Sequence, residues 1–530
     1  MSGYDAIVIG AGHNGLVHAA YLARAGKKVL VLERRPVVGG ATITEEIFPG
    51  FKFLTGSYLI SLLRPEVIRE LSLAKHGLEL MPLESTLVPL QSGDYFADWP
   101  DHDMTREEIA RHNRRDADIY PEYAATMKRI ALWVKPLLDI APPNPASNDP
   151  RDKMAMAMIA ERLRAMSKSD FDLLCRLLTT SAADFLDEWF EGEALKGTKC
   201  TSGIIGTFLG PRSAGTGYVL LHHYLGEIDG VFRAWAFPRG GTGAFAQAVY
   251  SAARSFGVEV RTNAAVKQVI IKDGVAKGVA LENGDEFYAR RIISNADAKV
   301  TFLNLVDKKE LSPDFVNDIR RFRTTSAACK VNLALDGLPT FTSIPKGKEA
   351  LYRGSIEIAP SIDYVEKAYD DAKYGGWSTR PFMDALIPSL LDPGMAPPGK
   401  HVMSLFVQYA SSELEGGWNA EKRATFLDIV IDTLSQYSPD IKSKILFKHI
   451  NTPDELERQF ALSSGNIFQG ELALHQLFFL KPVPTFAHYK SPIKHLWMCG
   501  ASTHPGGCIT GAPGRNAAMS LLRDFQEESA

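Results

Sequence analysis

"YDAIVIGAGHNGLVHAAYLARAGKKVLVLE", Tyr4 to Glu33, decides the fold of the chain. Ala6 to Ile9 form a short apolar run suited to a strand buried in a parallel sheet. Gly10, Gly12 and Gly15 follow in GxGxxG spacing, and the helix after them has a small apolar face at Ala19, Ala20 and Leu22 and ends at Gly26. Val29 to Leu32 predict a second strand, closed by Glu33, which lies 18 residues beyond Gly15. Gly10 permits the tight turn, Gly12 lets a pyrophosphate approach the backbone, and Gly15 lets the helix sit close on the sheet. The helix N-terminus offers free N–H groups and partial positive charge to phosphates. Glu33 is placed to accept hydrogen bonds from a ribose. A lone glycine triad says little, but here both strands, the helix and the acid are present, and together they predict a dinucleotide site.

Bulk properties set limits around that unit. A chain of 530 residues is too long for one core, so two or three domains are expected. A hydrophobic share of 45% and a charged share of 23% are ordinary for a soluble globular protein. The formal charge of −3 gives no electrostatic reason to expect nucleic acid. Cys175, Cys200, Cys329, Cys499 and Cys508 form no CxxC pair, so neither a disulfide framework nor a redox dithiol is indicated. No uncharged apolar run reaches about 18 residues, and a strand opens the chain where a signal peptide would stand. The expectation is a reduced, cytoplasmic protein.

"RRPVVGGATIT", Arg34 to Thr44, separates flavin from nicotinamide. The extended form E-R-x-x-x-x-G-G-x-T resembles the FAD-binding signature of the flavin amine oxidase and phytoene desaturase superfamily. No second strand–GxGxxG–helix unit occurs: "GPRSAGTGYV" and "RGGTGAF" both lack the preceding strand, so a dedicated NAD(P)H domain is not expected. The resemblance implies FAD, with contacts from Ala11, Asn14, Arg34, Gly39, Gly40, Ala41 and Thr42 beside the motif residues, and from Val266 near the adenine.

"HLWMCGASTHPGGCITGAPGRNAAMSLLRD", His495 to Asp524, reads as a strand, a glycine-rich loop and a helix with small residues on one side. In the superfamily such a segment returns to the flavin, which implies contacts at Gly500, Ala501, Pro505, Gly506, Gly507, Ile509, Thr510, Gly511 and Ala512. A helix N-terminus there would stabilise the negative charge that a reduced ring gains. His504 is a candidate functional residue beside the ring. His495, Cys499, His504 and Cys508 are zinc-ligand types, but their spacing matches no common finger, and no metal is expected.

Between the ends, the pattern alternates. Thr105 to about Glu191 is helical and amphipathic; "TREE" at Thr105 resembles a capping box, and "APPNPASNDP" at Ala141 is a turn-rich break. α/β structure restarts at "FPRGGTGAFAQAVYSAARSFGVEVRTNAAVKQVIIKDG", Phe237 to Gly274. Arg239 and the Gly240–Gly241 pair match a family position near the flavin, and Arg239 as a surface charge is an equal alternative. "CKVNLALDGLP" and "HVMSLFVQYA" read as strands of a second lobe.

With "FMDALIPSLLDPGMAPPGKHVMSLFVQYA", "GNIFQGELALHQLFFLKPVP" and "THPGGCITGAPGRNAA", the chain resembles one branch nearly end to end. That branch holds the pyridine nucleotide-disulfide oxidoreductase domain-containing protein 2 family, grouped with carotenoid ketolases and phytoene-type desaturases. The expected fold is α/β: a discontinuous Rossmann-like FAD-binding domain (1–95, 235–300, 480–530) and an interleaved α+β substrate domain (96–234, 301–479) with a helical cap near 105–191.

The resemblance implies an FAD-dependent oxidoreductase that moves hydride from a lipophilic, isoprenoid or carotenoid-like substrate to flavin N5. Such chemistry needs placement within about 3–3.5 Å more than it needs an acid–base pair, and none stands out. His222 and His223 could supply a base but fit a structural role better; Phe53 and Tyr58 could line the substrate side or the core. Two other functions stay open: an amine oxidase, which would need an aromatic cage at the ring, and an FAD-binding protein with a structural or protein-interaction role. Desaturases of this type draw substrate from bilayers, so "DKMAMAMIAERLRAM", Asp152 to Met166, could lie on a membrane; its methionine spacing suits burial better.

Overall fold

The computed structural model describes residues 3–529. Strand Tyr4–Ile9 pairs in parallel with Val29–Leu32 and with the inner half of Glu286–Ser294, while Glu259–Arg261 extends the sheet beyond Val29–Leu32 and Leu496–Met498 joins it beside Glu286–Ser294. The long strand Glu286–Ser294 changes character along its length. Its outer half is antiparallel to Val275–Leu281, which in turn pairs with Val266–Lys272, and its inner half is fully buried. One strand thereby ties the dinucleotide unit at the start of the chain to the meander in its middle.

Helix His13–Arg24 lies on this sheet and packs against helices Thr242–Ser255 and Ala512–Ser529. The contact with the C-terminal helix is close because its facing residues are small: a Cβ on Gly514 would stand 2.2 Å from the Asn14 carbonyl oxygen, and Ala517 and Ala518 are fully buried. His18 Nδ1 meets the Gly514 carbonyl oxygen at 3.2 Å.

The second sheet runs Ile445–Asn451, Ala328–Leu335, His401–Ala410, Trp377–Leu386, Ser355–Ile358, Thr86–Pro89, Tyr95–Asp98. "CKVNLALDGLP" and "HVMSLFVQYA" are neighbours in it, antiparallel from Ala328 opposite Gln408 to Leu335 opposite His401. Alternation gives each strand two faces. Cys329, Val331 and Leu333, with Val407, Leu405 and Met403, build an apolar core against helix Ala420–Ser435. The opposite face carries Lys330, Asn332, Ser404, Phe406, Asp384 and Glu357 and looks toward the dinucleotide domain and the cap.

Three expectations change. Thr86–Pro89 belongs to the second sheet, so the first crossover between lobes precedes residue 86 and not residue 96. The cap opens with helix His102–His112, capped by Asp101, whose carboxylate accepts from the N–H groups of Asp103 and Met104; Thr105 sits inside, its hydroxyl donating to the Trp99 carbonyl oxygen at 3.0 Å, and makes no capping box. Helix Pro150–Arg164 buries none of its residues, with Met154 65% and Met158 63% exposed, because the cap core is filled by helices Arg114–Val134, Lys168–Thr179 and Ala182–Trp189.

The helix crossing generates a test. Gly514→Ala forces a methyl group against the Asn14 backbone, and overpacking of this kind costs about 1–3 kcal/mol. Denaturant unfolding should show that loss, and an unchanged midpoint would mean the two helices are not in this contact.

Candidate functional site

The site begins with backbone touching backbone. Gly10 turns the chain at a φ of 92°, and a Cβ on Gly15 would stand 2.3 Å from the Gly10 carbonyl oxygen, so the helix can begin this close only with glycine. Its N-cap, Gly12, supplies no side-chain cap, leaving the first-turn amides free for an anion. Gly39 N–H donates to the Ala11 carbonyl oxygen at 2.8 Å, and a Cβ on Gly40 would lie 3.2 Å from the Gly12 Cα. Glu33, 5% exposed, is fixed by the Ala11 N–H at 2.8 Å and the Arg35 N–H at 2.9 Å. From the far end of the sequence, Cys499 N–H donates to the Ser294 carbonyl oxygen at 2.9 Å, and a Cβ on Gly507 would strike the Phe468 ring at 2.3 Å.

These segments enclose a cavity of about 470 Å³. Gly10, Gly12, Asn14, Glu33, Arg34, Gly39, Gly40, Ala41, Val266, Ala501 and Gly507 line it. Ala11, Gly15, Gly500, Pro505, Gly506, Thr510, Gly511 and Ala512 do not line it; the Thr510 hydroxyl accepts from the Ala512 N–H at 3.0 Å. Thr42 and Ile509 face the adjoining cavity. The walls fit FAD in three respects: glycines where a long planar ligand meets backbone, an uncapped helix for its pyrophosphate, and buried polar atoms without a protein partner at Asn14 Oδ1, His13 Nε2 and Gln469 Oε1.

Sequence reasoning missed His13, Asn295, Asp297 and Gln469 in this wall. Asn295 was within reach: in "RIISNAD" it directly follows the strand Glu286–Ser294, and its side-chain nitrogen lies 2.8 Å from where a Gly12 Cβ would be. Asp297 accepts from the backbone N–H and the hydroxyl of Ser463 at 2.8 and 2.9 Å; burial nonetheless raises its pKa.

A second cavity of about 140 Å³ adjoins the first at His13, Ala41, Leu462, Ile467 and Cys508. Leu59, Leu62, Ile205, Trp235, Phe406 and Phe468 give it an apolar wall that no carboxylate side chain lines. A third, of about 110 Å³, shares Leu59, Ile205 and Trp235 with it and is polar. There Asp98 pairs with Lys199 at 2.6 Å and Arg233 at 3.3 Å; burial opposes its ionisation, but the two cations hold its pKa below the usual carboxylate value.

Of Tyr58, His504 and Arg239, Tyr58 lines one of the three cavities. Its hydroxyl donates to Asp384 at 2.5 Å, and its ring stacks on Phe406 with centroids 6.0 Å apart. His504 lines none of the three cavities: its Nε2 meets the Leu137 carbonyl oxygen at 2.7 Å, its ring lies edge-on to Phe478, and burial lowers its pKa to about 4. Arg239 is a surface residue forked onto Glu79 at 2.7 and 2.9 Å. His223 lies in the apolar wall with Nδ1 on the Val219 carbonyl oxygen at 2.9 Å, and burial lowers its pKa to about 4; His222 is buried outside the cavity. Phe53 packs with Phe51 and Phe447 and is core.

The second sheet adds a row that no motif announces. Lys330 is directly opposite Phe406, Phe406 opposite Asp384, and Asp384 opposite Glu357, so all four share one face. Asp384 accepts from Tyr58 and Ser355. Burial raises the pKa of both carboxyls and lowers that of Lys330 to about 7.

Comparison with known proteins agrees with the geometry. The family described as flavin containing amine oxidoreductase matches residues 15–521. Pyridine nucleotide-disulfide oxidoreductase domain-containing protein 2 of Rattus norvegicus is 40% identical over 99% of this chain and 94% of its own. One of the subunits of limonene dehydrogenase from Castellaniella defragrans is 27% identical over 98% of this chain and 95% of its own. Among solved structures, a triple mutant of putrescine oxidase superposes with a TM-score of 0.62 at 15% identity, over 99% of both chains.

Glu33→Ala leaves the Ala11 and Arg35 N–H groups without their acceptor, a loss of about 1–3 kcal/mol. FAD should dissociate about tenfold to a hundredfold more readily, measured by titrating the stripped protein with FAD. Unchanged affinity would remove Glu33 from the cofactor site.

Proposed function

The chain belongs to the flavin-containing amine oxidoreductase family and is an FAD-dependent oxidoreductase; we propose that it works as a dehydrogenase or desaturase on a lipophilic, isoprenoid-like substrate. The observation that carries this is the apolar cavity opening beside the dinucleotide cavity. FAD, when bound, supplies the acceptor for the two electrons of the oxidised bond. The chain's part is placement: Leu59, Leu62, Ile205 and Phe468 exclude water and favour a hydrocarbon surface. The name of the relative that acts on limonene supports the same substrate class.

One observation favours this over amine oxidation: no carboxylate lines the wall to pair with an ammonium.

Anaerobic mixing of the holoprotein with apolar polyenes, and separately with amines, distinguishes the readings. Flavin absorbance near about 450 nm should bleach with the first class and not the second. Bleaching by amines alone would reverse the assignment, and a flavin that neither class reduces would favour a binding role.

We also propose a peripheral membrane contact through helix Pro150–Arg164. Among the described residues no helix is long and apolar enough to cross a membrane, but Met154 and Met158 are exposed on one face, with Lys153 and Arg164 nearby for anionic headgroups. Co-sedimentation with anionic vesicles at low salt should be lost on Met154→Glu with Met158→Glu. No sedimentation of the unaltered protein would sink the idea.

A further inference from the structure

The polar cavity lies between solvent and the apolar cavity. Of the residues around it, Pro100, His102 and Lys128 are exposed, while Leu59, Ile205 and Trp235 also line the apolar cavity. Among the described residues it shares none of its lining with the cofactor cavity.

The charges around it do not balance. Asp98 accepts from Lys199 at 2.6 Å and from Arg233 at 3.3 Å, and among the described residues it is the one carboxylate within salt-bridge reach of Arg233. One acid therefore serves two cations. Burial lowers the Lys199 pKa to about 8, which keeps the amine charged at neutral pH. The other two acids in the wall do not make up the difference. Asp384 accepts from the Tyr58 and Ser355 hydroxyls, and burial raises the pKa of both Asp384 and Glu357. Arg233 is also held against its backbone preference. Its φ of 61° lies in the left-handed region that side chains seldom adopt, and its guanidinium lies over the Tyr224 ring, 4.5 Å from the centroid. Strain of this kind persists where the surrounding structure fixes a residue for a purpose.

We propose that Arg233 is the carboxylate receptor of this cavity, and that the molecule it takes is an amphiphile with a hydrocarbon tail in the apolar cavity and one carboxylate at the guanidinium. This rests on the apolar-substrate reading above and narrows it. A single negative charge supplies what the cluster lacks. The planar guanidinium fork matches a carboxylate, and Lys128 at the exposed end attracts the same charge from solvent. A dianionic phosphate would bring one charge too many. An ammonium would meet Arg233, Lys199 and Lys128, and an uncharged head group would leave the surplus as it is. From Arg233 the tail runs past Leu59, Ile205 and Trp235, which the two cavities have in common.

The deciding measurement is the dissociation constant of the FAD-loaded full chain, at neutral pH, for three probes with one tail: dodecanoate, dodecanol and dodecylammonium, each below its micelle concentration. Calorimetry reads the binding, and perturbation of the flavin spectrum reports the tail beside the cofactor. Dodecanoate should bind about tenfold to a hundredfold more tightly than dodecanol, the worth of hydrogen bonds to a charged group. In Arg233→Gln that advantage should vanish while dodecanol binds as before. Lys199 still pairs with Asp98 in this variant, and an unfolding curve checks that it is folded. Arg233→Lys, which keeps the charge and loses the fork, should retain part of the advantage. Equal binding of dodecanoate and dodecanol by the unaltered protein would overturn the assignment without recourse to any variant. So would an advantage that outlives Arg233→Gln, or tightest binding of dodecylammonium, which would give the cavity to a cation. Each of these results leaves the apolar site standing. If neither dodecanol nor dodecanoate binds, the apolar-substrate reading fails first and this one falls with it.

Discussion

The structure depends on places where one stretch of backbone lies directly on another. At Gly15 against Gly10, Gly56 against Ala41 and Gly514 against Asn14, an added Cβ would stand 2.2 to 2.3 Å from a carbonyl oxygen. Each contact joins a different pair of segments, and together they bring the first glycine turn, the second glycine pair and the C-terminal helix around one channel. Larger side chains at these positions would widen the channel and pull the amides away from any phosphate, so the same residues close the core and form the ligand wall.

The second sheet meets a different demand. Its outer face is a continuous apolar core, while its inner face carries Lys330, Asp384 and Glu357 in register across three of four adjacent strands. Polar groups in such a row are expensive to bury and are tolerated only where partners or ligands complete them. Tyr58 and Ser355 complete Asp384. The row therefore divides the interior, with the apolar cavity over its Lys330 end and the polar cavity over its Glu357 end.

What could be seen in the sequence followed from local necessity. Gly10, Gly12, Gly15, Glu33 and the Gly39–Gly40 pair were legible because backbone geometry dictates residue type over a short span, and the structure places them around one channel. The strands of the second lobe showed in their alternation. The Lys330–Asp384–Glu357 row did not, because it exists only once four strands pair, and nothing within a single strand fixes the register with its neighbours. His504 misled for a related reason: its place beside the glycines is correct, but its ring turns outward to the Leu137 carbonyl oxygen, a choice made by a cap residue far away in the chain. Asp101 outcompeted Thr105 as helix cap by standing where the chain is still extended.

The crossing of these helices has a consequence for how the protein folds. Helix His13–Arg24 is covered by Thr242–Ser255 and by Ala512–Ser529, both hundreds of residues further along the sequence, and the dinucleotide sheet takes in Leu496–Met498 from the same distant stretch. Contacts of such large sequence separation have to meet the cost of closing long loops before they stabilise anything, so a topology of this kind folds slowly.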